Sequence, residues 1–271
     1  AWNSGGGSYV LTVPVVVAYL VRLRWKEGAI AAAPSPFSSL PSLLCLLPIA
    51  GGAIALALWW FIPVTGRSNW HIMLPTLVFV LSVVGVGGWR FGWLILWRLQ
   101  FPVVFLFLMV PVPTPVMDWF EVLLQHASAE VTHLLFVVAG IPFSREGMSF
   151  ILPTITLEVA KECSGARSTL VLFGTGLLGG YLFLRRPWKR WLLAMVALLL
   201  GILRNGFRIL LIGWLCVKVG PHMVHGPVHN RSATAFFALS LVPLLLLLVW
   251  LRRGERAARD KEPEDGGRKT E

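Results

Sequence analysis

Eleven residues in the middle of the chain, 158–168, read EVAKECSGARS and hold two carboxylates, Lys161, Cys163, two serines and Arg167. Long apolar runs follow on the C-terminal side. A cysteine at the start of a helix gains from unpaired backbone N–H groups and from the partial positive charge there, and both favour the thiolate. Lys161 and Arg167 push the same way. With helix from Cys163 onward, Arg167 would share its face, four residues on. Gly165 removes a side chain from the first turn, so a peptide backbone can approach. These features give a candidate nucleophile, with Glu162 beside it; the competing reading is a packed cysteine next to a helix cap, with Ser164 or Ser168 helping the turn.

Two further polar groups interrupt apolar sequence. LRNGFRILL, 203–211, places Arg204 and Arg208 one turn apart, with Asn205 and Gly206 between them. Arg208 precedes ILLIGWL and is expected to face a bundle interior, where a fixed cation can hold an oxyanion. Arg204 fits either a functional role or snorkelling to the headgroups. GPHMVHGPVHNRSATAFF, 220–237, carries His222, His225 and His229. One of them could act as general acid or base. A metal site is the alternative, although Pro221, Gly226 and Pro227 read as a loop without helical ligand spacing. Thiolate, cation and proton shuttle together are the parts for acyl transfer from a peptide.

The elements that must position these groups follow from composition. Of 271 residues, 56% are hydrophobic and 14% charged, with mean hydropathy +0.73. Soluble domains keep about a quarter of their residues charged, so the chain reads as an integral membrane protein. Strand-like alternation is missing, which excludes a barrel and leaves an all-α polytopic bundle. Seven spans are expected, near 9–23, 43–62, 71–89, 95–112, 164–184, 188–217 and 233–251. A net charge of +11 would suggest nucleic acid in a soluble chain. Here Lys and Arg gather in short loops beside the spans, as the positive-inside rule requires, so no nucleic-acid partner is expected.

If the clusters at 22–26, 90–98, 185–190 and 252–259 are cytoplasmic, the three candidate sites share the outer face. The stretch 113–162 then lies outside the cytoplasm. TPVMDWFEVLLQHASAEVTHLLFVVAG, with Asp118, Glu121, Gln125 and Ser128 at helical spacing, predicts a helix on the membrane surface or along a cavity. IPFSREGMSFILPTITLEVA predicts a small hairpin. One domain is expected over 1–251, followed by a charged, disordered cytoplasmic tail over 252–271. Three cysteines cannot all pair; Cys45 and Cys216 sit in apolar runs and read as small buried hydrophobes.

The order of these motifs resembles the exosortase and archaeosortase family of membrane transpeptidases. SYVLTVPVVVAYLVRLR is similar to an early span of that family, which normally follows one further N-terminal span, so eight spans are expected in a full protein. FPVVFLFLMVPVPTPVMD resembles its proline-punctuated middle span, and GIPFSREGMSFILPTITLEVAKECSGARS the segment leading to its nucleophile. LRNGFRIL is similar to its Asn-x-x-Arg motif, at Asn205 and Arg208. The family's final motif is a His followed by Gly after four residues and Phe after eight. His229 has Ala233 and Phe237 at those offsets, whereas His222 has Gly226 at the first of them.

The resemblance implies Cys163 as nucleophile with Arg208 and His229 completing the site, and His222 as the fallback histidine. No metal or other cofactor is implied. The substrates implied are secreted proteins with a C-terminal Pro-Glu-Pro-like motif, a span and a basic cluster, passed to a surface or lipid-linked acceptor. The implied location is a bacterial inner membrane with the site facing outward. Two alternatives stand beside it: a non-enzymatic component of exopolysaccharide export, and a metal-dependent intramembrane hydrolase using the histidines.

Overall fold

The structure is a computed structural model and describes residues 8–26, 47–61, 69–153, 155–159, 165–220 and 227–260. Its helices are α1 (Ser8–Lys26), α2 (Leu47–Phe61), α3 (Trp70–Phe91), α4 (Trp93–Arg98), α5 (Gln100–Leu106), α6 (Thr114–Val138), α7 (Ala166–Phe183), α8 (Pro187–Lys218) and α9 (Pro227–Asp260). A 3-10 turn, Phe107–Met109, follows α5, and three short strands lie between α6 and α7: β1 (Ser144–Glu146), β2 (Ser149–Ile151) and β3 (Thr156–Glu158). Contacts divide the chain into two units, one up to Asp118 and one from Trp119 onward.

In the first unit α2 packs along α3, and α1 packs on α5 and the 3-10 turn. Gly52 faces Val78 across this pair, where a Cβ would lie at ordinary contact, 3.5 Å from Val78 Cγ1. Pro111 and Pro113 lack the N–H that a helix needs, so the chain runs extended between Val110 and Thr114. Asn69 fixes that turn: its Nδ2 donates to Val112 O (2.6 Å), and its Oδ1 accepts from Thr114 N (3.1 Å).

The second unit holds the polar motifs. α7 and α8 pack antiparallel over a stripe of small residues. A Cβ on Gly176 would meet Ala197 Cβ at 3.1 Å, and one on Gly180 would meet Arg190 Cα at 3.1 Å. Gly176 and Gly180 form the small-xxx-small spacing by which helices in lipid approach closely. α9 closes this layer, with Leu244, Leu248 and Leu251 buried against Leu172, Leu184, Leu193 and Ala197.

α8 is patterned for lipid. Leu199, Leu203, Phe207, Leu211 and Trp214 are exposed along one stripe, while Arg204 and Asn205 are buried. Apolar side chains outward and polar ones inward is the arrangement that hydrocarbon surroundings favour.

The expected hairpin is present and gains a third strand, in the antiparallel order β1-β2-β3. Gly147, at φ +60°, makes the tight turn between β1 and β2. Phe150, Leu157 and Val159 from this sheet pack on Ala129 and Phe136 of α6 and on Ile212 and Cys216 of α8. Arg145 donates to Glu130 Oε1 (2.7 Å), which holds its guanidinium above the ordinary arginine value. The polar stripe of α6 turns partly inward: Ser128 is buried and Gln125 donates to Val159 O.

Three expectations are corrected. Among the described residues three helices, not seven, are long and apolar enough to cross a membrane: Ile72–Phe91, Pro187–Lys218 and Ala235–Ala258. A fourth results if Gln100–Met109 and Thr114–Val138 count as one broken span. A backbone break divides one of the expected spans. The expected 95–112 span is cut at Leu99 and after Met109, and Gly92 at φ +87° ends α3 just before it. α2 is described over 15 residues, and α7 dilutes its apolar sequence with Arg167, Ser168, Thr169 and four glycines.

The tail is the second correction, because residues 252–260 continue α9. Glu255 anchors them, accepting from the backbone N–H groups of Arg185 (2.9 Å) and Arg186 (3.0 Å), with Lys189 Nζ 3.9 Å away. Residues 261–271 lie outside the described residues. The third correction concerns the start of α7, which begins at Ala166 behind an N-cap at Gly165. The helical spacing expected from Cys163 to Arg167 thus has its helix only from Ala166, and Cys163 lies outside the described residues.

Candidate active site

The junction of α7, α8 and α9 assembles from Gly165 upward. Gly165 sits at φ +69°, a left-handed conformation that glycine adopts without a Cβ penalty. A Cβ there would also lie 3.4 Å from both Arg204 Nη2 and Asn205 Oδ1. One turn on, Ser168 Oγ donates to Gly165 O (2.9 Å) and accepts from Arg204 Nη2 (2.5 Å). From α9, the Phe237 ring lies 5.8 Å from Arg204 Cζ, within cation–π range. Arg204 thus joins three helices.

Glycines permit the approach. A Cβ on Gly201 would fall 2.5 Å from Thr169 Oγ1 and Cγ2, and one on Gly206 would fall 2.5 Å from Val131 Cγ1 of α6. Arg204 and Asn205 are consequently 9% and 3% exposed. Among the described residues, Arg204 Nη1 and Asn205 Nδ2 are buried donors without a hydrogen-bond partner.

The expected site residues fall as follows. Lys161, Glu162 and Cys163 lie outside the described residues, as do His222 and His225. Gly165 and Asn205 meet in the junction. Arg208 is half-buried, one turn further along α8 on the face of Arg204. Arg167 is exposed and stays outside the cluster. His229 is placed by its backbone in the first turn of α9, where Pro227 supplies the first helical residue.

Registers locate these levels. Along α7 and α8, Gly180 meets Arg190, Gly176 meets Ala197, and Gly165 meets Asn205. Along α8 and α9, Lys189 Nζ donates to Leu251 O (3.1 Å) and Arg204 meets Phe237, so these helices are also antiparallel. His229 then lies level with residue 212, about one turn (~5.4 Å) beyond Arg208.

Ser168, Thr169, Gly201 and Phe237 are the members that spacing alone did not single out for the site. Phe237 had one signal, its offset of eight from His229. Arg204 had another, the four-residue step to Arg208.

The chain matches the family model described as transmembrane exosortase over residues 2–246. No curated protein and no solved structure matches it. The apolar outward stripe of α8, the buried Arg-Asn pair behind it and a match over nine-tenths of the chain agree: this protein belongs to the transmembrane exosortase family.

Proposed function

We propose that this protein is a membrane cysteine transpeptidase that cuts a C-terminal sorting signal from secreted proteins and passes the acyl group to a surface or lipid-linked acceptor. The observation that carries the reading is the buried Arg204–Asn205 pair against Gly165. Cys163 precedes Gly165 by two peptide units, which span at most about 7.6 Å between Cα atoms. A buried cation and amide within that reach form surroundings in which a developing oxyanion is stabilised.

In this reading the Cys163 thiolate attacks the scissile carbonyl carbon. The C–S bond forms, the C–N bond breaks, and the leaving amine takes a proton from His229. An acceptor nucleophile then attacks the thioester and gives its proton to His229, and the C–S electron pair returns to sulfur. Arg208 supplies fixed positive charge for the thiolate. Gly165 lets the substrate backbone come close, Glu162 supports the segment before it, and His222 is the fallback for His229. The substrates are secreted proteins ending in motif, span and basic cluster. The site faces outward from a bacterial inner membrane.

The test is processing of a tail-bearing substrate by single-cysteine variants. Cys163→Ser is expected to stop processing while folded protein persists, since a hydroxyl without a strong base is a poor nucleophile. Cys216→Ser should keep activity, because Cys216 is fully buried in the apolar cluster beneath the sheet. Wild-type processing by Cys163→Ser would remove the reading. Orientation is checked by labelling single cysteines from outside: exposed position 146 should react and position 188 should not, and the reverse would put the site on the cytoplasmic face.

A further inference from the structure

We infer that Arg204 and Asn205 are the donor pair that binds the acyl oxygen of the scissile carbonyl, an assignment that rests on the transpeptidase reading above. Arg204 Nη1 and Asn205 Nδ2, on consecutive residues of α8, are buried donors with no hydrogen-bond partner among the described residues. A buried donor left unpaired costs about 1–3 kcal/mol, and more for a charged group. The fold does not require that cost. Arg204 already ties the three helices through Nη2 on Ser168 and its face on Phe237, and neither contact uses Nη1. Asn205 gains nothing from its Nδ2 where it lies, and leucine has nearly its shape. Donors without a partner of their own are what an anionic oxygen needs as it forms.

Their place supports the same occupant. Both side chains reach the Cβ position of Gly165 at 3.4 Å, Arg204 through Nη2 and Asn205 through Oδ1, and Gly165 is two residues from Cys163 in sequence. As the thiolate pair forms the C–S bond, the carbonyl π pair moves onto oxygen, and that oxygen takes the two N–H bonds. On collapse the pair returns to the C–O bond, the C–N bond breaks, and the amine leaves with the proton from His229. The same pair serves the second half-reaction, when an amine or hydroxyl acceptor adds to the thioester. Arg208, one turn on, is then left to act on the thiolate itself. The three donors separate by function: Arg204 and Asn205 act on oxygen, Arg208 on sulfur.

The experiment uses the full chain in nanodiscs with a synthetic tail peptide containing Pro-Glu-Pro and its following span. Single-turnover acylation of Cys163 is read by mass, and alkylation of Cys163 by iodoacetamide is followed against pH. Asn205→Leu and Arg204→Met should each slow acylation about 100-fold or more while leaving the alkylation–pH curve in place. Arg208→Met should move that curve to higher pH. A second probe needs no variant to fold: a peptide with the scissile C=O replaced by C=S offers a poorer acceptor, so the wild type should acylate much more slowly with it. Asn205→Leu should show a smaller penalty for the same replacement.

Wild-type acylation by Asn205→Leu overturns the pair, as does equal acylation of the oxo and thiono peptides by the wild type. Loss of both acylation and alkylation in Arg204→Met, with Asn205→Leu normal, makes Arg204 a clamp and overturns it too. Turnover by the wild type without any adduct on Cys163 overturns the transpeptidase reading, and the pair with it.

Discussion

Gly201→Ala tests whether the close approach of α7 and α8 sets the geometry at Arg204. The new Cβ would lie 2.5 Å from Thr169 Oγ1 and Cγ2, and Cβ atoms essentially never come nearer than 3.0 Å to a neighbour. The two helices must therefore part by about 0.5 Å or more at this level. Overpacking of this kind costs about 1–3 kcal/mol, and alanine returns up to about 1 kcal/mol through helix propensity. The net loss is about 0–2 kcal/mol, a fall of a few degrees in Tm at about 2–4 °C per kcal/mol. Activity should suffer more than stability. Next to Thr169, Ser168 holds Arg204 at 2.5 Å, and a shift of about 0.9 Å, which brings the new Cβ to ordinary contact at 3.4 Å, carries that bond past the usual hydrogen-bonding range. A bond to a charged group contributes about 1.5–3 kcal/mol, so weakening it predicts roughly a tenfold slower acyl transfer. Thr169→Ala removes the two nearest colliding atoms and leaves only Cβ, at 2.9 Å, while the lost Oγ1 has no hydrogen-bond partner among the described residues. The double variant should recover most activity, giving a coupling of about 1 kcal/mol or more. The assay is tail processing at equal expression, with thermal unfolding in the same nanodiscs. Wild-type activity in Gly201→Ala, or simple additivity in the double variant, would refute the reasoning.

Two more expectations follow from the helix ends. His229→Ala should slow processing far more than His222→Ala or His225→Ala, because a general acid held in the first turn of a helix keeps its distance to the leaving amine; an inactive His222→Ala with an active His229→Ala would move the role to His222, and joint loss of activity and bound zinc in all three would favour a metal site. Glu255→Gln should lower thermal stability by about 1–2 kcal/mol with little change in turnover, since it weakens two charge-assisted acceptors at Arg185 and Arg186 and leaves Lys189 without its carboxylate; an unchanged Tm would make the α9 extension incidental.

What the sequence makes legible here depends on the range of the forces involved. Apolar runs mark helices well, and helix occurs in each of the seven expected ranges. They mark crossings poorly, because a run of about 20 apolar residues reads the same whether one helix carries it or a backbone break divides it. Gly92 at φ +87° and the stop after Met109 make such breaks. The hairpin was legible because its turn is chemical: Gly147 between short β-branched and aromatic runs specifies a local geometry. Cys163 shows the opposite case. Four-residue spacing to Arg167 presumes a helix that begins three residues later, and the conformation of Gly165 is not written in periodicity. Arg204 is the sharpest instance. Spacing puts it on one face with Arg208 but cannot tell lipid from protein, because its partner Ser168 is 36 residues away. The signal that could have found it lies in the small residues around it. Gly201 admits Thr169, Gly206 admits Val131, and Gly165 admits Arg204 and Asn205 themselves. An arginine flanked by glycines on its own helix, with another glycine where the facing helix begins, is one whose neighbours have been thinned to take in a long side chain. In a membrane protein that pattern separates a buried guanidinium from one that snorkels, since snorkelling needs no room between helices.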